Sequence, residues 1–191
     1  MNGHAIRQQG STLIEILITL LILLFGLLGL VGVSSRAHMA ELESFQRIQA
    51  LELLQDIANR LNANRKVAAC YSNANTGVTL NTNTVDSSIP ACTLGTPQQQ
   101  NQAFADMKAW RDLIKGTTEA NSASGAPIGA VGCITQDSPN VYLIAVAWQG
   151  LARTAAPTLS DGTVFPCGKG TFGDNALHRV VTTKVQIGDL S

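Results

Sequence analysis

Gly10-Ser11-Thr12-Leu13-Ile14-Glu15 sets a small residue and a lone carboxylate at the head of twenty uncharged residues, Ile16 to Ser35. At about 1.5 Å per helical residue that run spans about 30 Å, the hydrocarbon thickness of a bilayer. A secretory signal peptide carries its cleavage site beyond the apolar stretch. Here Gly10 precedes it, so a cut at that point leaves the membrane helix on the mature protein. An ionised Glu15 beside hydrocarbon is costly and marks a site with a partner. Thr12-x-x-Glu15 also reads as a capping box that satisfies two backbone donors at a helix start. The two readings are compatible.

The second set of reactive residues is Cys70, Cys92, Cys133 and Cys167, spaced by 22, 41 and 34. With no Cys-x-x-Cys pair, a zinc centre is not indicated. Oxidation is the chemistry left. Of three connectivities, Cys70–Cys92 with Cys133–Cys167 is favoured, because sequential pairing closes the shortest loops around turn-rich sequence. In an oxidising compartment each bridge would stabilise the fold by about 3–4 kcal/mol.

Other signals for chemistry fail on context. Gly168-Lys169-Gly170-Thr171-Phe172-Gly173 has the spacing of a dinucleotide fingerprint, but no helical period follows it, so it reads as a turn. His178 is the one histidine beyond the helical region, and no nucleophile motif accompanies it. Asp86, Asp106, Asp112, Glu119, Asp137, Asp161, Asp174 and Asp189 are scattered and read as solvated acids. Catalysis, a cofactor and a metal are therefore not expected. The 13 basic residues balance 13 acidic ones without clustering, which argues against nucleic acid as a partner.

These residues need elements to hold them. No proline occurs before Pro90, which permits one helix from about Thr12 to Asn64, roughly 80 Å long. Beyond Arg36 the helix turns amphipathic, with Leu42, Phe45, Ile48, Leu51, Leu54, Ile57 or Ala58, and Leu61 as the expected packing stripe. Gly26, Gly29 and Gly32 recur every three residues in the apolar run, each costing about 1 kcal/mol against alanine. They suit either close helix packing or local melting. Residues 70–98 are rich in Asn, Thr and Ser and read as a loop with short strands. A second helix is expected over Ala103–Lys115, stopped by Gly116. Strands are expected over Ala130–Thr135, Val141–Trp148 and Arg179–Ile187, the middle one apolar on both faces and so central, the last with one wet face. The fold class is α+β, a long N-terminal helix packed on an antiparallel sheet.

The segment from Gly10 to Glu15, with Leu13 between, resembles the leader of a type IV prepilin, although Ser11 stands where phenylalanine is common. That resemblance implies a membrane peptidase that cuts between Gly10 and Ser11 and methylates Ser11. It implies that Glu15 pairs with the N-terminal amine of a neighbouring subunit during assembly, and that the glycine stretch can lose helicity in a filament. Leu27-Leu28-Gly29-Leu30, Gln49-Ala50-Leu51, Ala58-Asn59-Arg60, Ala63-Asn64-Arg65, Val146-Ala147-Trp148-Gln149-Gly150 and Arg179-Val180-Val181 are similar to the pilus modification proteins of the PilV kind.

The organisation expected on that basis is a leader over 1–10, a membrane or filament-core helix over 11–35, its amphipathic continuation over 36–66 and a periplasmic head over 67–191. Arg7 would stay cytoplasmic. The implied role is a minor pilin of the inner membrane and then the pilus, working with other minor pilins, the major pilin and the prepilin peptidase, with a tip adhesin as a further candidate. It would help begin assembly and support twitching motility and adhesion. Two alternatives stand beside it: a type II secretion pseudopilin, which shares the N-terminal features, and a membrane-tethered periplasmic binding domain or enzyme that never polymerises, which would keep its leader and tolerate Glu15→Ala.

Overall fold

The computed structural model describes residues 12–74, 76–116 and 126–188. The order is a long helix α1 (Leu13–Ala63), strand β1 (Val78–Asn81), helix α2 (Pro97–Lys115), then strands β2 (Val131–Ser138), β3 (Val141–Gln149) and β4 (His178–Gln186). The expected α+β class is borne out. The chain divides into two compact units, the first ending at Glu41 and the second beginning at Leu42.

In the first unit α1 is unbroken from Leu13, through Gly26, Gly29 and Gly32. Its large apolar side chains, from Leu13 at 82% exposed to Leu21 at 44%, are all uncovered. By length and composition this helix can cross a membrane.

In the second unit the sheet is an antiparallel meander in the order β1-β2-β3-β4. β3 is flanked on both sides, as its two apolar faces require. Tyr142, Ile144, Val146 and Trp148 face the helices, while Ala145 and Ala147 face the opposite layer. The α1 residues from Leu42 to Ala63 and the whole of α2 cover the first face, and the Trp110 indole N–H ties α2 to the Leu53 carbonyl at 2.8 Å. The segment 151–177 covers the second face with Phe165, Cys167 and Phe172. β4 alternates as expected, with Val181 and Val185 buried and Thr182, Lys184 and Gln186 exposed.

Two elements depart from expectation. Helix α2 starts six residues early, at Pro97, because Thr96 accepts from the Gln99 N–H while the Gln99 side chain accepts from the Thr96 N–H, a capping box with proline at the first helical position. It ends at Gly116, whose φ of 72° is the left-handed conformation glycine adopts freely. The buried face of α1 also differs. Gln46, Ala50, Leu53, Leu54, Ile57, Ala58 and Leu61 are buried, whereas Leu42, Phe45, Ile48 and Leu51 are 48–57% exposed. Steps of three residues turn a helix by about 300°, so each step drifts about 60° from the last. The four spiral away from the sheet.

Candidate functional site

Helix α1 opens at Thr12, whose carbonyl accepts from the Glu15 N–H at 2.9 Å and the Ile16 N–H at 3.3 Å. Glu15 therefore sits in the first turn, where a carboxylate is favoured by the helix dipole. Gly10 and Ser11 lie outside the described residues. Past Glu15 the helix carries no charge until Arg36, and the large apolar side chains of that stretch are all exposed. At Gly26, Gly29 and Gly32 an added Cβ would meet nothing within 4 Å. An apolar surface of this extent marks a membrane or protein interface. The exposed Leu42, Phe45, Ile48 and Leu51 present a further apolar strip on the second unit.

Several polar groups of the head are held in structural partnerships. Buried Asp106, on the inner face of α2, accepts from Tyr71 Oη at 2.5 Å, Gln102 Nε2 at 2.8 Å and Arg60 at 3.2 Å. Burial, and next the bond to Asp106, push the Tyr71 phenol above its ordinary value. Asp86 pairs with Lys108 at 2.7 Å and with Arg111, and these two bonds draw its carboxyl down to about 2. Asp137 pairs with Lys184, Asp174 with Arg153, and Asp112 with Arg111. Asp161 accepts from Thr163. Glu119 and Asp189 fall outside the described residues. Among the described residues these acids brace the fold: Asp86 and Asp112 meet on Arg111, and Asp106 is buried rather than solvated as the sequence suggested.

His178, at the start of β4, is buried. Its Nε2 lies 2.8 Å from the Cys167 carbonyl and its ring 5.4 Å from that of Phe172. Burial, as the main cause, lowers its pKa. Among the described residues its other ring nitrogen, Nδ1, has no hydrogen-bond partner, so no nucleophile is paired with it. Gly168, Gly170 and Gly173 take positive φ in a run of turns before β4, and a Cβ at Gly168 would press on Ala147 and Phe172. This segment fastens the loop to the sheet and is followed only by the three-residue 3₁₀ turn Asn175–Leu177, not by the helix a dinucleotide fingerprint needs.

Cys70 is joined to Cys92 and Cys133 to Cys167. The first bridge ties the 3₁₀ segment Arg65–Ser72 to the chain before α2; the second ties β2 to the covering segment 151–177. Sequence reasoning missed the ion pair between Glu43 and Arg179 at 2.9 Å, since 136 residues separate them. It also missed the cleft beside that pair, lined by Ser44, Arg47, Trp148 and Val180. No local pattern announces either.

Comparison with known proteins finds that residues 33–110 match a family described as Tt1218-like, Type IV pilin Tt1218. No curated protein and no solved structure matches the chain.

Proposed function

We propose that this chain is a minor pilin of the type IV pilus, a structural subunit without catalytic activity. The observation that carries the reading is the first part of α1: an exposed apolar run headed by the carboxylate Glu15. The similarity over residues 33–110 supports it independently, because it begins beyond the Gly10–Glu15 motif. The subunit is held in the inner membrane by α1, with its N-terminus cytoplasmic and its head periplasmic. The prepilin peptidase removes residues 1–10 and methylates Ser11. Subunits then leave the bilayer as their helices bundle, Glu15 fixing axial register against the amine of a neighbour. The head selects other minor pilins and the major pilin, and the assembly supports twitching motility and adhesion.

The decisive experiment is mass spectrometry of the mature chain from cells with an active prepilin peptidase. The expected N-terminus is methylated Ser11; retention of Met1–Gly10 would overturn the proposal. Glu15→Ala, scored by incorporation into sheared surface filaments, is expected to abolish incorporation while the membrane pool persists.

A further inference from the structure

β4 is the outermost strand of the meander. Just beyond the two ends of the β3–β4 ladder, the Ile187 N–H donates to the Asn140 carbonyl at 2.8 Å and the Gly150 N–H to the Leu177 carbonyl at 2.7 Å. In an antiparallel pair, residues that exchange backbone bonds alternate with residues that do not. The register therefore turns the N–H and C=O of Val181, Thr183 and Val185 toward β3, and those of Val180, Thr182, Lys184 and Gln186 outward. Among the described residues no hydrogen bond reaches these outward groups. Edges of this length are ordinarily blunted by a bulge, a proline or a charge. β4 has no proline, the irregularity in the sheet lies in β2, and the charge of Lys184 is met by Asp137 at 2.7 Å.

At the Val180 end of this edge opens the cleft of about 320 Å³ between α1 and the sheet, lined by Glu43, Ser44, Arg47, Trp148 and Arg179. A water molecule's share of liquid is about 30 Å³, so there is room for a side chain. Arg179 is committed to Glu43, which leaves Arg47 as the cation without an anionic partner among the described residues. Trp148 is 3% exposed and its indole N–H has no acceptor. A cation, a hydroxyl and an orphaned donor around one cleft favour a negatively charged, acceptor-rich group.

We propose that β4 receives an extended segment of another protein chain by strand addition, with a carboxylate of that segment seated between Arg47 and Trp148. Main-chain bonds to Val180, Thr182, Lys184 and Gln186 supply affinity, and the carboxylate fixes register. The inference holds whether or not the chain enters a filament.

The test uses the full-length protein in detergent micelles and octapeptides that alternate Val and Thr, with Glu or Lys at either end. Peptides ending in Glu are expected to bind at least tenfold more tightly than those ending in Lys. They should slow amide exchange at Val180, Thr182, Lys184 and Gln186. Thr182→Pro removes an outward N–H and leaves the β3 ladder intact; it should weaken binding at least tenfold. Arg47→Glu should reverse the preference toward Lys-ended peptides, and this variant decides the matter alone if Thr182→Pro disturbs folding. The proposal is overturned by equal affinity for the two peptide classes, by affinity indifferent to both substitutions, by no peptide binding, or by a peptide-free dimer that Thr182→Pro dissociates.

Discussion

Tyr71 donates its phenolic proton to Asp106 across 2.5 Å, joining the 3₁₀ segment after α1 to the inner face of α2 inside the core. Arg60, from the last turn of α1, reaches the other oxygen of the same carboxylate. One side chain thus binds three elements, skipping β1 between the second and the third. Tyr71→Phe should cost about 1–3 kcal/mol in denaturant unfolding, and Asp106→Ala more, since it orphans the phenol and a guanidinium together. The folded phenol is held above its ordinary value, so its contribution is complete below the unfolded value of about 10 and is lost as pH rises beyond it. Stability measured from pH 8 to 11 should fall in the parent chain and fall less in Tyr71→Phe.

His178 gives the acid limb. Its folded pKa is depressed, chiefly by burial, so its contribution is present above the unfolded value of about 6.5 and is lost as pH falls below it. Melting temperatures between pH 7.5 and 5 should decline in the parent chain. His178→Gln keeps a donor for the Cys167 carbonyl and should decline less steeply over the same range.

Gly132 lies in β2, where a glycine is otherwise unfavourable. A Cβ there would collide with the Trp110 ring and the Ile114 side chain of α2. Gly132→Ala should therefore destabilise by about 1–3 kcal/mol through overpacking, despite the gain in strand propensity. A calorimetric melt at least as high as the parent's would refute that account.

Paired Cys133→Ala and Cys167→Ala substitutions open the bridge across a sequence separation of 34. The expected loss is about 3–4 kcal/mol, and Phe165 and Phe172 should become more accessible as the covering segment loosens. Fluorescence quenching and limited proteolysis of residues 151–177 would report this. Replacing Cys70 and Cys92 should leave that segment as resistant as in the parent.

Much of this architecture is written locally. The central strand is legible because Val141–Trp148 is apolar at successive positions, and β4 because its residues alternate. The end of α2 is legible in Gly116. Its beginning is equally explicit in Thr96-Pro97-Gln98-Gln99, but no apolar residue occurs from Pro97 to Gln102, so periodicity starts the helix too late. The face of α1 is harder to read. Leu42, Phe45, Ile48 and Leu51 look like a stripe in steps of three, yet the sheet takes Gln46, Ala50 and Leu53. The joins between Tyr71 and Asp106, and between Glu43 and Arg179, depend on chain crossings that leave no trace in neighbouring residues.

The spiral of Leu42, Phe45, Ile48 and Leu51 has an energetic corollary. Each is about half hydrated in the solitary chain, and covering the remainder is worth about 1 kcal/mol apiece. Contact with almost any greasy neighbour is consequently downhill before a specific bond forms. Discrimination between right and wrong companions then falls to the polar groups bordering that strip, Glu43 and Arg47 among them, where a mismatch leaves a charge stranded.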